Sequence, residues 1–334
     1  MKIIPQRRNI IGLFTAACII MLAWYVFWLD RGIIRDDIYF LGRNMRGFSP
    51  QEIEELLIAR FAEWQQDPID AVYDQERQSV VPELWGYRVN IADTAQEILQ
   101  ASPGETVYPV LDPLYPEIAM DDYPAAFIER GNPQKNKIAL MINVAWGTEY
   151  LRPMLDVLAA ENAGGTFFVV GRWAQEHRSL LREIWTRGHE LASHGHTDAL
   201  VYTRLTPEEM EIGLEEVNTL IEQLTGRTPK YFTPHKGEYS RLLLEVVSRV
   251  GMRTVLWTVD TVDWQKPGVE KMKSKVMANI GGGTIILMHP TADTVVLLQE
   301  TLPLIQQKGY AVVTLSELLS PHYPPSLLMP GDAR

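Results

Sequence analysis

KIALMINVAWGTEYLRPMLDVLAAENAGGTFFVV, residues 137–170, decides the fold. Ile138–Val144 is an apolar run of strand length, and Tyr150–Ala163 carries apolar residues at helical spacing. After Gly164-Gly165 a second apolar run, Thr166–Val170, begins. A strand, a helix and a strand joined by short turns make the two strands parallel, with the helix crossing between them. The rhythm continues: helix Ala174–Arg187, strand Glu190–Ala192, helix Thr206–Leu224, strand Tyr231–Thr233, helix Ser240–Val250 and strand Thr254–Val259. Helices at Val269–Asn279 and Val295–Lys308 then alternate with strands at Thr284–Met288 and Ala311–Thr314. The predicted class is α/β. An open doubly wound sheet and a closed or distorted (β/α) barrel both fit the alternation, and both collect functional side chains at the C-terminal ends of strands.

Upstream of this region the pattern changes. Ile10–Leu29 is almost wholly apolar, long enough at 1.5 Å per helical residue to cross a bilayer, and it follows Lys2, Arg7 and Arg8. Those charges predict a single-pass anchor with residues 1–9 cytoplasmic and everything after Leu29 outside. The run ends in Trp24-Tyr25-Val26-Phe27-Trp28-Leu29, aromatics suited to a membrane interface and poor for signal cleavage. Residues 37–123 read as a small α+β domain. Ser49-Pro50-Gln51-Glu52 opens a helix carrying Ile53, Leu56, Leu57, Phe61 and Trp64, with strands at 71–73, 79–81 and 87–91 and a second helix at Thr94–Leu99. Residues 124–136, rich in Pro, Asn and Gly, read as a linker to a domain at 137–320, and residues 321–334 as a tail. The chain of 334 residues has formal net charge −11, which opposes nucleic acid as a partner. Its one cysteine, Cys18, lies inside the apolar run, so neither an intramolecular disulfide nor a cysteine metal site is available beyond it.

Five strand ends of the C-terminal domain bring unusual residues together. They are Asn143 with Trp146; Ser193-His194-Gly195-His196-Thr197-Asp198; Thr233-Pro234-His235-Lys236-Gly237; Asp260-Thr261-Val262-Asp263-Trp264; and Leu287-Met288-His289-Pro290. In this order, and with the phrases RGHELASH, LWTVDTVDW, GGGTIILMHPT and KGYAVVTLSELL, the chain over about 137–319 resembles the polysaccharide deacetylase family, also called the NodB-homology or carbohydrate esterase 4 family. The resemblance implies a distorted (β/α) barrel that hydrolyses the acetamido C–N bond of N-acetylated cell-wall or surface glycan with a divalent metal, zinc or similar. The phrases GFSPQEIEELL, VPELWGYRVNIADTAQEILQASPGE and YPVLDPLYPE resemble a small module associated with peptidoglycan binding. A plain spacer fits the same region.

The family's first motif carries two acids, a general base and a metal ligand. Here the place reads Met141-Ile142-Asn143-Val144-Ala145: Asn143 has no lone pair basic enough to take a proton from water and Val144 cannot ligate a cation, and a shifted alignment that sets Asn143 and Ala145 at the two acids loses both as well. In the second motif the resemblance sets His194 and Asp198 where two histidines are expected, with His196 between them. His194, Asp198 and His196 are therefore the candidate metal ligands. Thr233 stands where the resemblance implies an Arg. Asp260 and Asp263 with Trp264, and Leu287 with His289, keep the family pattern: His289 as general acid, Asp263 or Asp260 tuning it, and Trp264, Leu287, Trp146 and His235 around the substrate. Asp198, Asp260 or Glu149 could replace the base. Two readings stay open, an amidase with a rearranged site and a non-catalytic glycan-binding or cell-wall scaffold protein. Gly281-Gly282-Gly283 precedes a strand, so it reads as a turn rather than a phosphate cradle.

Overall fold

A computed structural model describes residues 32–197, 201–325 and 328. Chain contacts divide the described residues into two units: 32–67, 87–114, 324, 325 and 328 fall in one, and 68–86, 115–197 and 201–323 in the other. Among the described residues no helix is long and apolar enough to cross a membrane. The run Ile10–Leu29 expected to do so lies outside them.

In the smaller unit, helix Pro50–Phe61 starts as its sequence directs. Ser49 and Glu52 form a reciprocal capping box, and Pro50 occupies the first turn, where a missing N–H costs nothing. Its Ile53, Leu57 and Phe61 pack with Phe40, Met45, Val89, Ile98 and Val107. Helix Ile91–Gln100, capped by Asn90, supplies Ile98 to that cluster.

The larger unit is built on an eight-stranded parallel sheet. Its strands are β1 (Lys137–Val144), β2 (Thr166–Val169), β3 (Glu190–Ser193), β4 (Tyr231–Phe232), β5 (Arg253–Thr254), β6 (Val259–Asp260), β7 (Ile285–Met288) and β8 (Ala311–Val313). The order is β5-β4-β3-β2-β1-β7-β6, with β8 pairing the start of β1. The sheet curls into a half-barrel, because β5 and β6 do not pair with each other. Residues 128–131 run between them instead: Leu256 N–H donates to the Ile128 carbonyl, Thr258 Oγ1 to that of Glu129, and Gly131 N–H to that of Gly283. Gly282 lies under this segment, where an added Cβ would come within 2.1 Å of the Pro133 carbonyl oxygen.

The strands read as continuous apolar runs because both faces are covered. On β1, Ile138, Leu140, Ile142 and Val144 face outward beneath the helices, against Leu151, Met154, Leu155 and Leu158. Ala139 and Met141 face inward with Phe168, Ala192, Tyr231, Ile285 and Leu287. This alternation, with period two, fixes which residues can reach the mouth of the half-barrel.

The stretch 124–136 is packed rather than a bare linker. Asn132 is buried and donates to the Pro82 carbonyl. Lys135, 1% exposed, donates its ammonium to the carbonyls of Glu317, Leu318 and Ser320 at the C-terminal end of helix Leu315–Leu319, an arrangement the helix dipole favours. Burial first, and nearby Lys137 second, push Lys135 down from 10.5 to about 8. Between those values the unfolded chain binds more protons than the folded one, so this group makes stability rise with pH from about 8 toward 10.5. Urea unfolding of wild type and Lys135→Met at pH 8 and pH 10 should therefore show the difference between them shifting by about 2 kcal/mol in favour of wild type at the higher pH. An unchanged difference would mean that Lys135 is not desolvated.

Candidate functional site

The inward rows end in polar residues. Asn143 follows Ala139 and Met141 on β1, His194 follows Ala192 past β3, Thr233 follows Tyr231 past β4, and His289 follows Ile285 and Leu287 past β7. Asp260 closes β6 opposite Leu287. Val144 has the other parity and lies fully buried in the outer core, with Ala145 packed against that core. Of the residues at the first motif, Asn143 alone continues the inward row.

On one side of the mouth His289 is held by Asp263. Its Nδ1 lies 2.7 Å from Asp263 Oδ1, and its backbone N–H donates to Oδ2 at 2.5 Å. Thr294 Oγ1 donates to the same Oδ2 at 3.0 Å, and Asp263 is 1% exposed. Facing a carboxylate, Nδ1 carries the ring proton, which leaves Nε2 as the nitrogen that can exchange one. The loop that delivers Asp263 is strained: Asp260 Oδ1 accepts from the Val262 N–H at 2.8 Å, and Val262 sits at φ 57°, rare for a β-branched residue. Trp264 next to it is 56% exposed, whereas Leu287 is buried. Trp146, 44% exposed, lies parallel to the His289 ring with centroids 5.6 Å apart and an interplanar angle of 8°.

On the other side, buried His194 sets Nδ1 2.8 Å from the Thr233 carbonyl oxygen, which fixes the hydrogen on Nδ1. The His235 ring lies 4.1 Å away between centroids, and its Nε2 is 3.0 Å from the Thr197 carbonyl oxygen. Burial, then the charges of His235 and His289, hold His194 well below the ordinary histidine range against the pull of the Thr233 carbonyl. His194 is thus a neutral imidazole.

His196 sets its Nδ1 2.9 Å from Glu216 Oε2, on helix Pro207–Thr225. Asp198 lies outside the described residues. Among the described residues no group of three His, Cys, Asp or Glu side chains comes together to hold a metal. Of the candidate ligands, His194 and His196 are held by different partners, the Thr233 carbonyl and Glu216, and Asp198 is not among the described residues. Glu149 is exposed on helix Thr148–Ala160.

The family model described as polysaccharide deacetylase matches residues 130–255. Bacillus subtilis YlxY is 33% identical over 271 residues, which are 81% of this chain and 84% of that protein. The chain belongs to the polysaccharide deacetylase family. A peptidoglycan-N-acetylglucosamine deacetylase of Bacillus cereus is 29% identical over 203 residues, 59% of this chain and 94% of that one. Among solved structures, a wild-type carbohydrate esterase 4 pseudoenzyme from Bacillus anthracis matches with TM-score 0.69 and 28% identity, over 81% of this chain and 96% of its own. A mutant pseudoenzyme of the family, described as having restored enzymatic activity, matches with TM-score 0.70 and 27% identity, over 81% of this chain and 99% of its own.

Within this polysaccharide deacetylase domain, sequence reasoning passed over two side chains. Thr294 completes the Asp263 cage, and its only sequence signal is its place in Thr291-Ala292-Asp293-Thr294 at a helix start, where Thr291 Oγ1 caps the Thr294 N–H. Glu216, which claims His196, lies among other acids on an amphipathic helix and has no sequence signal.

Proposed function

We propose that this polysaccharide deacetylase family member binds amino-sugar glycan of the cell wall or cell surface at the mouth of its half-barrel and leaves the acetamide intact. The observation that carries this reading is Asn143, the residue of the first motif that continues the inward row, in the place where the resemblance implies a general base. An amide oxygen has no lone pair basic enough to deprotonate water, and a lost base costs on the order of 10²–10⁴ in rate. Val144 and Ala145, the two places where the other acid could fall, pack in and against the outer core. The likeness to a pseudoenzyme over 81% of this chain supports the same reading. The second reading, hydrolysis, draws on the His289–Asp263–Thr294 constellation, which is fit to protonate a leaving amine, and on the neighbour whose mutant regained activity.

Acetate release from N-acetylglucosamine oligomers and peptidoglycan fragments separates the two readings. Wild type and His289→Ala are expected to give the same background, with saccharide binding that chelators do not change. Release that disappears in His289→Ala would favour hydrolysis instead.

The apolar run Ile10–Leu29 behind Lys2, Arg7 and Arg8 supports a single-pass anchor that holds both units on the extracytoplasmic side, where such a glycan lies. Protease added to intact cells should then digest the C-terminal units while sparing the first residues.

A further inference from the structure

We infer that the floor of this cleft recognises the free amine of a de-N-acetylated amino sugar, as its ammonium, in preference to the acetamide. The inference rests on the cleft-binding reading above and narrows it to one chemical form of the sugar.

The cleft floor holds more hydrogen-bond acceptors than donors. Asn143 Oδ1 is buried with no hydrogen-bond partner among the described residues, and so is Thr233 Oγ1. His194 donates through Nδ1 to the Thr233 carbonyl, so its Nε2 is a bare lone pair. His289 spends Nδ1–H on Asp263 and likewise has Nε2 as its remaining nitrogen. The inward rows thus end in more lone pairs than donors: the Asn143 amide oxygen, the Thr233 hydroxyl oxygen and His194 Nε2, against the Asn143 amide N–H groups and one Thr233 O–H. No Lys or Arg ends an inward row, and Lys236 in the neighbouring loop is exposed.

An acetamide offers one N–H and a carbonyl oxygen. Such a floor can meet the N–H, but for the carbonyl it offers only neutral donors, the Thr233 hydroxyl and the Asn143 amide N–H groups. An ammonium offers three N–H donors and no acceptor, which matches the excess of lone pairs. A buried acceptor left without a donor costs roughly 1–3 kcal/mol, and a ligand that supplies the donor recovers that penalty on binding. The carboxylates of Asp260 and Asp263 add negative polarity at the same end of the sheet, which favours a cation over a neutral amide.

The test is calorimetric titration of the full chain with two tetrasaccharides of equal length, the N-acetylglucosamine tetramer and the glucosamine tetramer, at fixed ionic strength near neutral pH. The glucosamine tetramer is expected to bind at least about tenfold more tightly. A cationic sugar is also drawn to any acidic surface, and this chain carries formal charge −11. Asn143→Leu leaves that charge unchanged and removes the buried amide oxygen, so a preference that belongs to the floor should collapse in it. Thr233→Val, which is nearly isosteric, should weaken the preference as well and serves if Asn143→Leu does not fold. A preference that persists in both variants would mean surface attraction and would overturn the inference. Equal or tighter binding of the acetylated tetramer would also overturn it, and would leave glycan binding in the cleft standing. Binding of neither tetramer to wild type would remove both readings.

Discussion

Asp263→Ala is expected to lower the melting temperature by about 10 °C, the larger of two single-site effects that the fold places next to the cleft. The carboxylate is buried and accepts from the His289 imidazole, the His289 backbone N–H and the Thr294 hydroxyl. Removing one partner from a buried network of this kind costs about 3–5 kcal/mol, because the donors left behind have no other acceptor. A unit of this size loses roughly 2–4 °C per kcal/mol. Asp263→Asn keeps the shape but turns an N–H toward one of the three donors, so it should fall between wild type and Asp263→Ala. Differential scanning calorimetry checks the ranking. A loss under about 3 °C for Asp263→Ala would show that His289 and Thr294 find water instead, and that the mouth is more open than these contacts imply.

How much of this was legible in the sequence depends on whether the determinant is local. Ser49-Pro50-Gln51-Glu52 announces a helix through groups within one turn, and the helix begins there. Strand β1 was legible because the seven-residue run Ile138–Val144, apolar but for Asn143, calls for cover on both faces, as a parallel sheet with helices outside provides. The inward row Ala139, Met141, Asn143 follows from alternation alone once one member is known to face the core. Asn143 and His289 could thus be named from their strand ends.

Three features resisted. Lys135 looked like a linker residue because its carbonyl partners are more than 180 residues away along the chain. His196 stood in the sequence as an extra imidazole between His194 and Asp198, and nothing there announced that its Nδ1 would lie 2.9 Å from Glu216 on a following helix. Residues 68–86 and 115–136, read as parts of a small domain and a linker, belong to the larger unit, because segment 128–131 spans the gap between β5 and β6. In each case the deciding partner is remote in sequence, and local pattern carries no trace of it.

The turn before helix Thr148–Ala160 joins backbone conformation to the cleft. Gly147 has φ 74°, a left-handed conformation that costs an L side chain about 1 kcal/mol. A Cβ added there would lie 2.0 Å from the carbonyl oxygen of Pro290, which directly follows His289. No rotamer relieves a clash between Cβ and backbone, so one of the two loops must move. The loop of residues 145–147 carries Trp146, and the other carries His289, so either movement separates the parallel rings now 5.6 Å apart. Gly147→Ala is therefore expected to cost about 3 kcal/mol in total, strain plus displacement, and to lower the melting temperature by roughly 6–10 °C. Saccharide affinity should fall by at least about tenfold, because the exposed face of Trp146 is the aromatic surface held against His289. Trp146→Ala separates the two causes: it removes the ring without touching the turn, so it should reproduce the loss of affinity with little of the loss in stability. If Gly147→Ala melts early but binds normally, the ring is not part of the recognition surface. If it melts normally, the 145–147 turn has a second conformation open to it, and the stack on His289 is one of two states of the cleft.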